Sequence, residues 1–304
     1  MKAAVYTKTK SGKTLEIQEV ERTVPKDDEI EVAVRAASVN PLDWRMKSPR
    51  PGVDVAGVVA TTGRSVTRFK TGDAVFGLAR GAFAEYACGS QNKFILKPDH
   101  LDFERAASLP IAGLTALQGL RDKGHLQPAH KVLINGAAGG VGTFSVQIAN
   151  AFGADITGVC SAKNVELVKS LGAARVIDYA IGDFTLDSER YDLILDNVGN
   201  RPLSEMKRVL KPGGRCVMVG ATKTLAAVLT RIGESWVRSF VLRQKFTFFI
   251  AKMRPEDLTT LCEMIQAGKI SPVIDRNYPV SDAATALSYV EEGHARGKVV
   301  ITMT

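Results

Sequence analysis

A chain of 304 residues, 45% hydrophobic and 24% charged, exceeds one ordinary domain and carries enough apolar side chains for more than one core. Its formal charge of +8 suits anionic small molecules, but no recognised nucleic-acid motif accompanies it, so a nucleic-acid partner is not expected. No apolar run reaches the ~18 residues that span a bilayer, and Cys88, Cys160, Cys216 and Cys262 are far apart, as buried free thiols would be.

The opening Met1-Lys-Ala-Ala-Val-Tyr6 is a strand-like run without the basic and apolar regions of a secretory signal, which predicts a cytoplasmic protein. Glu29-Ile-Glu-Val-Ala-Val-Arg35 alternates strictly, Val53-Asp-Val-Ala-Gly-Val-Val59 is small and apolar, and Thr71-Gly-Asp-Ala-Val-Phe-Gly77 is a turn entering a strand. Short strands joined by Gly, Pro and Asp turns predict a compact β-rich domain over residues 1–104.

The texture changes at Lys131-Val-Leu-Ile-Asn135, an apolar run that breaks into small residues before the helical pattern of Thr143–Asn150. The turn between them, Ala137-x-Gly139-x-x-Gly142, is a dinucleotide-binding fingerprint with alanine at its first position. Gly139 lets the backbone approach a pyrophosphate, Gly142 lets helix and strand pack closely, and the free N–H groups over Ala138, Gly139, Gly140, Val141 and Gly142 attract the anion.

Further apolar runs follow at Asp155–Cys160, Arg175–Asp178, Tyr191–Asp196 and Arg215–Gly220, separated by helix-length segments. That alternation predicts an α/β fold with a doubly wound parallel sheet over residues 105–251. A ligand on such a sheet lies beyond the carboxyl ends of the strands, so Asn135-Gly136, Cys160-Ser161, Asn197-Val198-Gly199 and Gly220-Ala221 are expected to line one crevice. An NAD site usually places an acid at the end of the second strand; Val159-Cys160-Ser161-Ala162-Lys163-Asn164 has none. Ser161, Lys163 and Tyr179 offer donors to a 2′-phosphate instead, which favours NADPH; read by itself, Lys163 is equally a solvated lysine at a helix start.

From Thr222 to Arg254, seven Lys and Arg stand against the single Glu234 among Leu, Val, Trp and Phe, a net +6. The stretch is open to two readings: a basic amphipathic face making weak contact with anionic lipid, or a helix and the strand Lys245–Ala251 covering the active site or a partner subunit. A periodic helix at Pro255–Gly268, the strand-like Val273–Pro279, a helix at Ser281–Glu292 and the strand Gly297–Thr302 complete the chain. Residues 252–304 are expected to return to the first domain, leaving the cleft between the two domains as the site.

Six segments together resemble one family: Ala37-Ser-Val-Asn-Pro-Leu-Asp43, Pro51-Gly-Val-Asp-Val-Ala-Gly57, Gly72–Gly77, Gly81-Ala-Phe-Ala-Glu-Tyr86, Gly136–Gly142 and Gly293-His-Ala-Arg-Gly-Lys-Val-Val-Ile301. In this order they look like the medium-chain dehydrogenase/reductase superfamily, most closely its zinc-free quinone oxidoreductase branch. The resemblance covers nearly the whole chain. It implies a GroES-like substrate domain, a Rossmann domain, and NADPH-dependent reduction of quinones or α,β-unsaturated carbonyls.

A catalytic zinc needs three Cys, His or carboxylate ligands around an open position. Where zinc-dependent relatives carry the first cysteine this chain has Asn40, and where they carry the histidine it has Val53; Asp54 alone survives beside it. His100, His125, His130 and His294 lack ligand-spaced partners, so no metal is expected. Without a metal to polarise a carbonyl, conjugate reduction is the less demanding chemistry, because the developing enolate oxygen needs only hydrogen-bond donors. The resemblance implies that Asn40 contacts the nicotinamide or ribose region, that Thr115 helps place the nicotinamide, and that Asp43 lies near the substrate mouth; from the residues alone, Asp43 reads equally as a helix-capping carboxylate beside Trp44. Tyr86 and Tyr278 are candidate proton donors that also read as strand packing.

One departure stands out. Between Trp44 and Pro51 the chain is shorter than similar proteins usually are, which implies a more open pocket or an incomplete loop. Two further functional readings stay beside the reductase: a non-catalytic NADPH-binding sensor or adaptor, and a zinc-free carbonyl reductase acting on aldehydes. A homodimer formed by extending the Rossmann sheet through Phe246–Ile250 is also expected.

Overall fold

The computed structural model describes residues 1–9, 12–45, 48–219 and 244–303. Its residues form two compact units, Met1–Ala112 with Met253–Gln266 and Pro272–Thr304, and Gly113–Lys252 with Ala267–Ser271. The expected 104/105 and 251/252 divisions compare with crossings at Ala112/Gly113 and Lys252/Met253.

The first unit is built on β-strands. β1 (Lys2–Thr9) and β2 (Gly12–Glu19) form an antiparallel ribbon. The alternating segment is β3 (Glu29–Ser38), followed by the short helix α1 (Leu42–Arg45), β4 (Asp54–Thr62), β5 (Ala74–Leu78), β6 (Tyr86–Ser90) and β7 (Phe94–Leu96). β3 is the hub, antiparallel to both β4 and β6. The inward residues Ile30, Val32, Val55, Val59 and Val75 join Phe83 and Phe94 in one buried cluster, each such side chain stabilising the fold by about 1.5–3 kcal/mol through removal from water. α2 (Phe103–Ser108) begins at Asp102, whose carboxylate accepts the Arg105 N–H at 2.7 Å. α3 (Pro110–Gln118) follows and carries the chain into the second unit.

In the second unit the apolar runs become β8 (Lys131–Asn135), β9 (Asp155–Cys160), β10 (Arg175–Asp178), β11 (Tyr191–Asp196), β12 (Leu210–Met218) and β13 (Lys245–Phe248). All their pairings are parallel, in the order β10-β9-β8-β11-β12-β13. This is the 3-2-1-4-5-6 arrangement of a dinucleotide-binding sheet, with the reversal of direction between β8 and β11. α4 (Gly140–Ala151), α5 (Val165–Ser170) and α6 (Leu203–Val209) are the intervening helices. The strand expected over Lys245–Ala251 stops at Phe248, and Ile250 beyond it is 77% exposed.

The last segments return to the first unit's sheet. α7 (Pro255–Gln266) precedes β14 (Ile274–Pro279), α8 (Ala283–Glu291) and β15 (Lys298–Thr302), and β15 lies between β14 and β3. The helix expected from Ser281 starts two residues later, because Val280–Asp282 form a tighter 3-10 turn after Pro279. All four cysteines are free and buried. Among the described residues no helix is long and apolar enough to cross a membrane. Residues 222–243 of the basic stretch, Gly220 and Ala221 of the crevice, and Met46 and Lys47 of the short segment lie outside the described residues.

Candidate functional site

The fingerprint turn follows from how β8 hands over to α4. Gly139 occupies the cap position of α4 in an extended conformation, and no side chain caps the helix. The first N–H groups of a helix have no partner within it, so this end presents unsatisfied donors. A Cβ placed on Gly142 would lie 2.0 Å from the Gly136 carbonyl oxygen, so only glycine fits there. At Gly139 the nearest protein atom to such a Cβ is 3.5 Å away. That spacing is ordinary contact, so the protein itself does not demand glycine at 139, and the open space over it has room for a pyrophosphate. Ala137, at the fingerprint's first position, is accommodated by β9: a Cβ on Gly158 would lie 3.1 Å from the Ala137 Cβ and 2.5 Å from Val168, so Gly158 supplies room for the methyl.

At the switch point Asn135 and Asp196 pair in register at the ends of β8 and β11. Asn135 Nδ2 donates to Asp196 Oδ1 (2.9 Å) and to Asn200 Oδ1 (3.0 Å), while the Val198 and Gly199 N–H groups donate to the same Asp196 oxygen at 3.2 and 2.9 Å. The loop after β11 is therefore tied down from below. Among the described residues, both polar atoms of the Asn197 carboxamide are buried without a hydrogen-bond partner, a cost that calls for an explanation and that a bound ligand would relieve. Val198 beside it is 44% exposed. These features fit a dinucleotide.

The end of β9 bears the residues from which the sequence predicts cofactor choice. Cys160 is buried, Ser161 is half-buried and Lys163 is exposed. Tyr179, 56% exposed, is brought alongside by its own N–H donating to the Cys160 carbonyl at 3.1 Å. Asp178, the acid at the end of β10, accepts the Ala180 N–H at 3.0 Å.

In the first unit, Asn40, Asp43 and Asp54 converge with two residues the sequence reading did not single out, Ser38 and Lys298. Asp54 Oδ2 accepts from Ser38 Oγ (2.8 Å) and Asn40 Nδ2 (2.8 Å), and Asp54 Oδ1 accepts from the Ile111 N–H (3.1 Å) at the start of α3. Lys298 Nζ donates to Asn40 Oδ1 (2.7 Å) and the Val39 carbonyl (3.2 Å), and lies 3.7 Å from Asp54 Oδ2. Asn40 Nδ2 also donates to the Ser38 carbonyl at 3.2 Å, so the Asn40 carboxamide is engaged on every side by protein. Burial works against both charges, raising the Asp54 carboxyl and lowering the Lys298 ammonium from their ordinary values, while each charge compensates the other.

Asp43, within α1, is buried. Its Oδ2 accepts the Asn40 N–H (2.7 Å) and its Oδ1 the Gly52 N–H (3.2 Å), closing the loop between β3 and β4. Burial first, with the neighbouring Asp54 charge, pushes its carboxyl up to about 7. Thr115 sits on α3 and is half-buried. Tyr86 lies under the Arg22 guanidinium, 3.8 Å from the ring centroid, and Arg276 reaches the Tyr278 hydroxyl at 3.5 Å.

These donors do not suit a zinc ion. Asn40 presents a carboxamide oxygen already held by an ammonium, Val53 has no donor, and a divalent cation at Asp54 would face the Lys298 charge. Lys298 had a faint signal in the sequence: a lysine opening an otherwise apolar strand. Only the placement of β15 beside β3 shows that it points inward.

Residues 26–99 match the family described as alcohol dehydrogenase GroES-like domain, and residues 171–301 match that described as zinc-binding dehydrogenase. The chain is 30% identical to a chloroplastic quinone-oxidoreductase homolog of Spinacia oleracea, with 95% of each chain covered. It is 32% identical to a chloroplastic NADPH-dependent alkenal/one oxidoreductase of Arabidopsis thaliana, covering 99% of this chain and 79% of that one. Among solved structures, the quinone oxidoreductase from Coxiella burnetii superposes with a TM-score of 0.87 at 29% identity, covering 100% of this chain and 99% of the other.

Proposed function

Because the chain belongs to the medium-chain dehydrogenase/reductase superfamily, in its quinone-oxidoreductase-like branch, we propose that it is an NADPH-dependent reductase of quinones or of the C=C bond of α,β-unsaturated carbonyls, working without zinc. The observation that carries this reading is the crevice at the β8/β11 switch point. There an uncapped helix start, an open Gly139 and the orphaned Asn197 carboxamide coincide. The names of the Spinacia and Arabidopsis relatives, a quinone-oxidoreductase homolog and an NADPH-dependent alkenal/one oxidoreductase, support the same chemistry.

When bound, the nicotinamide supplies a hydride for an electron-poor carbon or a quinone. The chain's part is to hold and orient. The α4 amino end binds the pyrophosphate, Asp196 fixes the loop that presents Asn197 and Val198, and Ser161, Lys163 and Tyr179 receive the 2′-phosphate. Asn40 and Asp54, locked by Lys298, set the start of the helix that bears Thr115. Reduction of a C=C bond leaves its developing negative charge on an oxygen that hydrogen bonds or water can satisfy, so the chemistry does not require the metal that Asn40, Val53 and Lys298 disfavour.

The test is consumption of NADPH, with NADH as control, against an aryl quinone, a simple enone and an aldehyde, with the enone product identified. Saturated ketone from enone and NADPH is expected. An alcohol from the aldehyde alone points to a carbonyl reductase, and tight NADPH binding without turnover points to a sensor or adaptor; either overturns the proposal.

The same reading includes a homodimer. Among the described residues β13 is the last strand of its sheet, pairing with β12 along one edge, and an edge without a strand partner is a template for a second copy. Light scattering on the purified chain at micromolar concentration tests this, and a monomeric mass counts against it.

A further inference from the structure

Ser161 and Asn164 both occupy positions where such side chains ordinarily cap a helix. Ser161 precedes the 3-10 turn Ala162–Asn164, and Asn164 precedes α5. Neither side chain does so; no cap hydrogen bond is made by either. Instead Asn164 Nδ2 donates to Ser161 Oγ at 3.2 Å. Asn164 is only 7% exposed, and among the described residues its Oδ1 is buried without a partner. A buried asparagine that gives up its cap bond and leaves one acceptor unmet is held at a cost.

The consequence lies in the direction of one hydrogen. A hydroxyl whose oxygen already accepts from an amide keeps its own proton for another acceptor. Asp178, the acid at the adjoining strand end, faces its own chain through the Ala180 N–H. We propose that Asn164 is a positioning residue for cofactor choice: its carboxamide holds the Ser161 oxygen so that the Ser161 hydroxyl donates outward, to the 2′-phosphate of NADPH. The inference rests on the reading of Ser161 as a 2′-phosphate donor. It adds that Ser161 selects only while Asn164 holds it. Turned over, with Oδ1 towards Ser161, the carboxamide would draw the hydroxyl proton inward and cancel the donor.

The experiment measures Kd for NADPH and for NADH by calorimetry, with the Ser161→Ala step made in three backgrounds: wild type, Asn164→Leu and Asn164→Asp. Asn164→Leu removes the donor. Asn164→Asp keeps the shape and can only accept, so it remains informative if the leucine variant fails to fold. In wild type the Ser161→Ala step should shift the NADPH-to-NADH Kd ratio about ten-fold, the size of one hydrogen bond to a charged group. In both Asn164 backgrounds the same step should change the ratio by less than about two-fold. An equal shift in all three overturns the positioning role and leaves the Ser161 reading standing. A Ser161→Ala step without effect even in wild type removes the Ser161 reading, and this inference with it.

Discussion

Lys298 Nζ and Asp54 Oδ2 lie 3.7 Å apart, and neither side chain is more than 3% exposed. One residue comes from the last strand of the chain and the other from β4, and between them they immobilise Asn40 and the start of α3. Lys298→Met leaves the Asp54 charge buried and uncompensated, which should cost about 3–5 kcal/mol in urea denaturation. Adding Asp54→Asn should recover most of that loss, since the amide needs no counter-charge. A double variant as unstable as the single one would show that the charges are not coupled.

Asp43 gives the stability a pH dependence with a definite sign. Its folded-state carboxyl stands at about 7 against an ordinary 3.8, raised first by burial. The folded state therefore holds a proton that the unfolded state has released. Its contribution is fully present below about pH 4 and is lost as the pH rises towards 7. Asp54 is also raised and acts in the same direction. Melting temperature followed between pH 5 and pH 8 should fall more gently with rising pH in Asp43→Asn than in wild type. Parallel curves would remove Asp43 as a source of the slope.

The two fingerprint glycines should fail differently. Gly142→Ala drives a Cβ to 2.0 Å from the Gly136 carbonyl, so it should destabilise the fold by at least ~1–3 kcal/mol. In Gly139→Val the Cβ comes no closer to the protein than 3.5 Å, at the Gly136 carbonyl oxygen, an ordinary contact, so the variant should melt near the wild-type temperature while losing dinucleotide binding in calorimetry. Normal cofactor affinity in Gly139→Val would place the pyrophosphate elsewhere.

The combined change Ser161→Ala with Lys163→Ala should weaken NADPH by ~1–3 kcal/mol and spare NADH, through loss of a hydroxyl donor and an ammonium. Unchanged preference between the two cofactors in titration would refute the assignment of the 2′-phosphate site to these residues.

Local patterns made much of the molecule legible. The runs at Lys131–Asn135, Asp155–Cys160 and Tyr191–Asp196 are apolar on both faces, as strands covered by helices on both sides must be, and they are the centre of the parallel sheet. The fingerprint spacing located Gly139 and Gly142 because backbone clearance is a property of single positions. The ends of elements were less legible. Whether the strand after Gln244 runs to Phe248 or Ala251 depends on what it pairs with, and the pairing with β12 ends at Phe248.

The sequence by itself determined the two-part architecture, the strand-turn-helix at the fingerprint and the missing acid after β9, since each is written in periodicity, spacing or residue type over a few tens of positions. Only the tertiary structure decided what the polar residues near Asn40 do. Lys298 stands 258 positions from Asn40, and no local pattern distinguishes a lysine that meets solvent from one that enters a core. The outcome depends on β15 settling beside β3, where desolvation makes a cation tolerable only next to Asp54. The same holds for Asn164: its type and place suggest a helix cap, and only its distance to Ser161 shows the bond it makes instead.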